Sequence, residues 1–362
     1  MGEPATPPRR AFEVPRIESV LREEGQLDSP LVLPVKFVGG AAAIGAGLAL
    51  GREGPTVQMG AAAAQLVARA FRMGPGDIRS LIAAGSGAGL AAAFGAPLSG
   101  TVFVLEELVQ RFDLRVLVAT LTACSAGIAV CYELLGTRPV FLVPVVAAPG
   151  FFHFVFYLAL GVPLGVLGVA YNRMIVRGLD LTDRFTGARS ELCAMAIGAV
   201  IGLLGWFIPD TLGSGEEQVQ HLLQSGGKAA VPVLLALLVV RFVVGPISYA
   251  ARTPGGLFAP LLVVGAMLGT VCGTLVHRLA PGQLPDPTAL TIVGMAGFFA
   301  ATVRAPITGV TLTLELTAVS SLFVPMLATC AVAAAVPTLL GDPPIYDALR
   351  ARARHRSGAV RS

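Results

Sequence analysis

The chain has 362 residues, of which 54% are hydrophobic and 13% are charged, and its mean hydropathy is +0.75. Soluble domains carry about twice that share of charged residues, so this composition excludes an ordinary soluble domain and predicts a polytopic helical membrane protein. The formal net charge is only +4, and arginines in residues 350–362 contribute much of it. The positive-inside rule predicts that this basic tail is cytoplasmic, and a nucleic-acid-binding arm is the weaker alternative.

Residues 1–30 are polar and contain no apolar stretch of the kind that a signal peptide needs. We expect them to form a cytoplasmic N-terminal segment, with a short amphipathic helix over Ile17–Glu24. The five cysteines have no metal-ligand spacing, and the four histidines form no HExxH motif. The sequence therefore predicts no metal site, no disulfide framework and no cofactor.

Apolar segments follow one another along almost the whole chain. We place them at residues 34–50, 55–73, 79–94, 96–110, 114–137, 151–176, 190–208, 229–250, 257–280, 288–301, 305–319 and 321–340. Several are shorter than the roughly 20 residues that a spanning helix needs. Short helices interrupted by glycine or proline are typical of transporters whose broken helices meet at a binding site inside the membrane.

The segment Gly51–Pro55 (GREGP) lies between two of these apolar stretches. Pro55 suits the first turn of a helix, and the glycines allow the backbone to approach a ligand closely. A helix that begins here would direct free N–H groups and the positive end of its dipole at an anion. Glu53 is itself an anion and could occupy that site or leave it. The alternative is a glycine-rich turn that carries a surface Arg–Glu pair.

An internal repeat divides the chain into two halves. Ala96–Gly100 (APLSG) is repeated by Ala305–Gly309 (APITG), and each copy is followed at the same spacing by a Leu-Glu pair that ends in Glu106 or Glu315. Gly54-Pro55 has a counterpart in Gly255–Pro260 (GGLFAP). The separation of this pair along the chain differs by about four residues from the separation of the two Ala-Pro motifs. The repeat predicts a first membrane half at 31–140, a second half at 150–349, and a binding site where the two halves meet.

These motifs, in this order, resemble the CLC family of chloride channels and proton/chloride exchangers. The resemblance runs from about Pro15 to Leu349. It rests on the segments Gly51–Gln58, Gly87–Gly89, Ala96–Gly100, Glu106-Glu107 and Gly256–Pro260, and on Tyr346. It implies an all-α membrane protein with two inverted-topology repeats of short, tilted, broken helices.

The family resemblance implies a role for each matched residue. Backbone N–H groups of Arg52, Glu53 and Gly54, together with those of Gly256, Leu257 and Phe258, would bind chloride, and the hydroxyl of Tyr346 would point at the ion. Glu53 would be the gate, and Glu107 would transfer protons from the cytoplasm. Taken alone, Glu106 and Glu107 also fit an acidic helix end, and Tyr346 fits an interfacial tyrosine. Lys36 would either add positive potential from a distance or lie at the membrane interface.

The resemblance also implies a homodimer, in which each subunit has its own pore. The expected contact stretches are Ala96–Leu108, Leu114–Leu135, Pro306–Leu316 and Leu322–Leu339. The implied location is the cell membrane, with the lipid bilayer, chloride and protons as partners and no nucleic acid.

The beginning of the chain departs from the family pattern. The family has further helices followed by a Gly-Ser-Gly-Ile-Pro loop, and this chain begins too late for those helices. At the place of the loop it has Phe12 where the serine is expected, and Glu13 next to it. The second half does contain a similar loop at Gly213–Gly215. Three explanations fit this departure from the family pattern: an altered inner entrance, a start downstream of the true one, or a degraded copy.

Four functions are compatible with these observations. Glu53 and Glu107 together favour a proton-coupled chloride exchanger, because a passive channel needs no inner proton donor. A passive, voltage-gated-type channel is the first alternative, and a truncated homologue that does not transport is the second. An intramembrane enzyme that uses Glu106 and Glu107 as paired acids is the weakest, since no nucleophile, metal ligand or cofactor loop accompanies them.

Overall fold

The computed structural model describes residues 13–22, 31–136, 139–226, 230–279 and 285–359, without the side chains of Glu13 and of residues 355–359. Within these ranges the chain forms fifteen α-helices and no strand. Their bounds are α1 Glu13–Leu21, α2 Val32–Gly45, α3 Glu53–Ala70, α4 Pro75–Phe94, α5 Pro97–Phe103, α6 Leu114–Leu135, α7 Phe154–Thr182, α8 Ala188–Phe207, α9 Glu216–Ser225, α10 Val231–Ala250, α11 Phe258–Leu279, α12 Pro287–Val303, α13 Pro306–Thr317, α14 Phe323–Leu339 and α15 Ile345–Ala359.

Among the described residues, six helices are long and apolar enough to cross a membrane: α6, α7, α8, α10, α11 and α14, where α7 and α14 are counted with the short turns that precede them. The other helices include apolar ones that are too short to cross alone, such as α2 and α12. Every residue of α12 is buried, and so is most of α11. In contrast, α6 and α8 are mostly exposed. The core therefore lies around α11 and α12, and the apolar outer surfaces of α6 and α8 are suited to contact lipid or another apolar surface.

The sequence repeat corresponds to a structural repeat in which α1 to α6 match α9 to α14. Gly95 and Arg304, which precede the two Ala-Pro motifs, share a left-handed backbone, with φ/ψ of 67°/27° and 68°/27°. The following alanines, Ala96 and Ala305, have φ/ψ of −127°/79° and −114°/75°. The two halves thus make the same backbone turn between a long helix and a short one, which is why Arg304 adopts a conformation that favours glycine.

The same repeat governs helix packing. A β-carbon on Gly60 of α3 would overlap the carbonyl oxygen of Gly85 in α4, and a β-carbon on Gly265 of α11 would overlap that of Gly294 in α12. Glycine at these positions lets the helix backbones touch, as is common where helices pack within a membrane.

Three elements differ from the sequence-based expectations. Helix α1 begins at Glu13 rather than at the expected Ile17, because its buried face already begins at Val14. It ends at Leu21, and the expected end at Glu24 lies outside the described residues. Helix α9 was not among the predicted apolar segments, since it is short and begins with two glutamates. Helix α15 continues to Ala359, so the predicted boundary at 349/350 falls inside a helix.

Candidate functional site

The two halves of the chain meet at a pair of glycines. Gly51 and Gly256 exchange two backbone hydrogen bonds, with N···O distances of 2.9 and 2.7 Å. Gly51 lies just before α3, and Gly256 lies just before α11. A β-carbon on Gly54 would approach Cα of Gly256 to 2.9 Å, and one on Gly255 would approach Cβ of Leu50 to 2.7 Å. The close approach of the two loops therefore requires glycine, and it brings the N-termini of α3 and α11 together.

Glu53 is the first residue of α3, and its side chain reaches the N-terminus of α11. It is only 1% exposed. Its Oε1 accepts hydrogen bonds from the backbone N–H groups of Phe258 at 2.6 Å and Ala259 at 3.3 Å. The first N–H groups of a helix have no partner within the helix and carry its positive dipole end, so they are a natural anion site. In this structure the carboxylate of Glu53 occupies that site, while its Oε2 has no hydrogen-bond partner among the described residues.

A small cavity lies beside the Glu53 carboxylate, with room for about one water molecule. Six residues that the sequence predicted for chloride binding line it: Glu53, Gly54, Gly256, Leu257, Phe258 and Tyr346. The ring of Tyr346 lies 6.2 Å from that of Phe258, centroid to centroid. Tyr346 is buried in the first turn of α15, so the sequence-based alternative of an interfacial tyrosine does not describe its position.

Some residues of the cavity wall were not predicted, and one predicted residue lies elsewhere. Val14, Val57, Leu90, Tyr249 and Gly255 complete the wall. The phenol of Tyr249 is the one polar side chain of this group, and the sequence offered no signal for it beyond its position shortly before Gly255.

Arg52 does not line the cavity. Its side chain is 53% exposed and pairs with Glu216 of α9, with a distance of 3.5 Å from Nη2 to Oε1. The sequence-based role of Arg52 concerned its backbone N–H group, which this position of the side chain leaves unaffected.

Glu107 lies in a wide helical turn that follows α5. Residues Val104–Leu108 form a π-helical turn, in which the N–H of Val109 donates to the carbonyl of Val104 at 2.8 Å. The extra residue in such a turn changes the direction of successive side chains, and π-turns are frequent at functional sites. Glu107 is buried, at 4% exposure, among charges from two other helices, which are Glu18 of α1 and Asp347 and Arg350 of α15.

Glu18 is a second buried acid of this group. It is fully buried, and its Oε2 accepts a hydrogen bond from Arg350 Nη1 at 3.0 Å, while Arg350 also pairs with Asp347. Burial raises the pKa of Glu18 to about 7, against a smaller opposing effect of Arg350. Helix α1 has nine residues and is too short to span a membrane. The arrangement joins α1 to α15, the helix that carries Tyr346.

Glu106 points away from Glu107 and caps a helix of the opposite half. Its carboxylate accepts from the N–H groups of Ile307 at 3.0 Å and Thr308 at 2.7 Å. Glu315, its counterpart in the repeat, accepts from the N–H groups of Leu98 at 2.9 Å and Ser99 at 2.7 Å. Each half therefore caps the short helix of the other, which gives Glu106 a structural role distinct from that of Glu107.

The altered entrance at Phe12 and Glu13 cannot be placed, because Phe12 and the side chain of Glu13 lie outside the described residues. Val14, which follows them, lines the cavity. Among the described residues, no group of three or more His, Cys, Asp or Glu side chains is arranged to hold a metal ion.

Comparisons with known proteins agree with this architecture. The family model described as "Voltage gated chloride channel" matches residues 5–338. The "H(+)/Cl(-) exchange transporter ClcA" of Salmonella paratyphi A (strain ATCC 9150 / SARB42) is 36% identical over 345 residues, which cover 94% of this chain and 72% of the relative. The ClcA of Salmonella arizonae is similar to the same extent.

Solved structures show the same fold. The "X-ray crystal structure of a slow cyanobacterial Cl-/H+ antiporter" superposes with a TM-score of 0.89 and 32% identity, over 95% of this chain and 81% of that one. A "CLC-type fluoride/proton antiporter" superposes with a TM-score of 0.75 at 21% identity, over 93% of this chain and 82% of that one, and so supports the fold alone.

The fold and site define a polytopic membrane protein whose two inverted halves bring helix N-termini together around an acidic side chain. The chain belongs to the voltage-gated chloride channel (CLC) family. The resemblance read from the sequence and the predicted all-α fold with two inverted-topology repeats are thereby confirmed.

Proposed function

We propose that this protein exchanges chloride for protons across the cell membrane. The observation that carries the proposal is the Glu53 carboxylate at the N–H groups of Phe258 and Ala259. A chloride ion would seek the same N–H groups, so the side chain and the ion compete for one site. Protonation removes the charge of Glu53 and weakens its hold on the helix N-terminus, which leaves the site to the ion. The names of the relatives at 36% identity support chloride and protons as the transported species.

Backbone N–H groups of Arg52, Glu53, Gly54, Gly256, Leu257 and Phe258 form the proposed chloride cradle, with the Tyr346 hydroxyl at its inner end. An uncharged cradle binds an anion without trapping it, which rapid transport requires. Transport of this kind forms and breaks no covalent bond, and neither a catalytic residue nor a cofactor enters the proposal.

Glu107 is the proposed inner proton-transfer residue. It is buried near Glu18, Asp347 and Arg350, and it lines no part of the Glu53 cavity. Protons would therefore reach Glu53 by a route that is separate from the anion path. Glu107 is buried and makes neither of the helix-capping contacts of Glu106, so its carboxyl group is available to transfer protons. An inner proton donor of this kind favours an exchanger over a passive channel.

The proposed assembly is a homodimer. The stretches that the sequence predicted for the contact expose large apolar side chains, among them Leu98 (52%), Ile307 (53%) and Val324 (57%). These belong to α5, α13 and α14, and the Glu106 and Glu315 caps hold α5 and α13 against each other. The two membrane halves, at 31–140 and 150–349, would each contribute one face to the contact.

The test uses purified protein in liposomes with an outward chloride gradient, while external pH is recorded. The wild type should take up protons in proportion to the chloride that leaves. Glu107→Gln should retain chloride efflux and lose proton uptake, and Glu53→Ala should also uncouple the two ions. Glu133→Gln, at an exposed position of α6, is the matched control and should behave as the wild type does.

Each other outcome has a definite meaning. Chloride efflux without a pH change in the wild type would show a passive channel. The absence of any flux would show a homologue that does not transport. Proton uptake that persists in Glu107→Gln would refute the role proposed for Glu107 while leaving the exchanger intact.

A further inference from the structure

Arg52 and Glu216 form an ion pair at the edge of the anion cradle, which we call the mouth pair. Arg52 is the residue before Glu53 and belongs to the first half, whereas Glu216 begins α9 in the second half. Their charged atoms lie 3.5 Å apart, and the side chains are 53% and 31% exposed. The pair therefore joins the two halves beside the gate, in contact with water.

Glu216 is held in place by the loop that precedes it. Arg241 of α10, which is 2% exposed, donates through Nη1 to the carbonyls of Thr211 at 3.0 Å and Gly213 at 2.7 Å, and through Nε to Oε1 of Gln218 at 2.8 Å. The start of α9 is thus fixed from both sides, and Glu216 cannot move far without breaking these buried bonds.

Glu216 also lies close enough to the gate to act on it. With Phe94 and Ala259 it lines a second, largely apolar cavity, and the N–H of Ala259 is one of the two donors to Glu53. Glu216 is among the charges that act on the Glu53 carboxylate. Among the described residues, the charged groups near the mouth pair include Glu53 of α3, Glu217, which is the next residue of α9, and Arg241 of α10.

We propose that Glu216 sets the strength of anion binding at the cradle by neutralising Arg52. The inference rests on the proposed anion exchange and adds to it a residue that tunes affinity. The charge of Glu216 lowers the positive potential that an incoming anion meets. The same charge disfavours the ionised form of the Glu53 carboxyl group. Without the Glu216 charge, Arg52 would attract the anion, and the ionised form of Glu53 would be favoured.

The expected effect is modest because the pair is partly exposed. Exposed ion pairs have measured strengths that correspond to a change in an equilibrium constant of about 1.4- to fivefold. In a Glu53→Gln background, where no ionised carboxylate competes for the site, Glu216→Gln should therefore tighten chloride binding by a factor of up to about five. With Glu53 retained, the same substitution should also move the activation of exchange to a lower pH by a few tenths of a unit, because Glu53 then needs more protons to leave the site.

The experiment titrates chloride into the purified protein by calorimetry, with Glu53→Gln in every variant so that no ionised carboxylate competes, and at constant ionic strength set with a large organic anion. Glu53 is kept for the flux measurements. Glu217→Gln is the matched control, since it removes the same charge from the next, exposed residue. The double variant Arg52→Gln/Glu216→Gln tests the route of the effect. If Glu216 acts through Arg52, the double variant should bind chloride no more tightly than Arg52→Gln alone. Liposome flux as a function of pH provides the second readout.

Three results would overturn the inference. Equal affinities in Glu216→Gln and Glu217→Gln would show that the mouth pair does not tune binding. A gain in affinity that persists when Arg52 is already Gln would show that Glu216 acts by another route. A wild type that neither binds nor transports chloride would overturn the proposed function, and this inference with it, whereas the first two results leave the exchanger intact.

Discussion

Glu315→Gln should destabilise the protein although Glu315 lies outside the anion site. One oxygen of its carboxylate accepts from the N–H of Leu98, and the other accepts from the N–H and the hydroxyl of Ser99. The amide of glutamine keeps one acceptor and turns its NH₂ group toward an N–H donor. A hydrogen bond to a charged group contributes about 1.5–3 kcal/mol, and the negative charge at the N-terminus of α5 contributes at most about 1 kcal/mol more. We expect a loss of about 2 kcal/mol in the free energy of unfolding.

The assay is thermal unfolding in detergent, followed with a thiol-reactive dye, because Cys124 and Cys330 are fully buried until the chain unfolds. Glu106→Gln should cost about as much as Glu315→Gln, since the two caps are counterparts, and Glu133→Gln should cost nothing measurable. The two caps join the same pair of helices, so the double variant should lose at least as much as either single variant. An unfolding temperature of Glu315→Gln equal to that of Glu133→Gln would refute the cross-capping argument.

Two further substitutions test the site and its supports. Glu18 has its pKa raised to about 7 in the folded protein, so the stability of the folded wild type should fall as pH rises from about 4.5 to 7. Glu18→Gln should be the more stable protein above pH 7 by at most about 3 kcal/mol and should match the wild type below pH 4.5. An equal difference in stability at both pH values would refute the argument. Gly54→Ala places a β-carbon 2.9 Å from Cα of Gly256, so it should lower the free energy of unfolding by about 1–3 kcal/mol and weaken chloride binding. Gly45→Ala is the control, because its β-carbon meets no atom within 4 Å, and it should change neither quantity. Equal calorimetric titrations of the two variants would contradict the close approach of the loops.

The repeat and the helix start at Glu53 could be predicted from the sequence because both are encoded in local motifs. The spacing between Ala96 and Glu106 recurs between Ala305 and Glu315, and the structure shows those residues in equivalent turns and caps. The position of Glu53 at a helix start followed from Pro55 and the neighbouring glycines. In each case a few adjacent residues determine the backbone, so no knowledge of distant contacts was needed.

The supports of the site could not be predicted, because they depend on residues that are far apart in the chain. The Glu18–Arg350 bond joins residues at opposite ends of the sequence, and the Arg52–Glu216 pair joins the two halves. A charged residue on a short helix gives no sign of its partner until the helices are packed. Tyr249 was missed for the same reason, since its place in the cavity wall is determined by the way α10 packs against the rest of the core.

In the proposed anion cradle, no fixed cation would hold the anion. None of the described residues that line the Glu53 cavity is a lysine or an arginine, and the nearby guanidinium of Arg52 is paired with Glu216. What remains is the partial positive charge of backbone N–H groups at helix N-termini, which attracts an anion without binding it too tightly for release. Glu53 takes its hydrogen bonds from the N–H groups of Phe258 and Ala259, the same donors that an incoming anion needs. In the proposed exchanger, a proton on Glu53 would therefore favour the anion at this site, and an ionised Glu53 would exclude it, which would couple the two ions through one side chain.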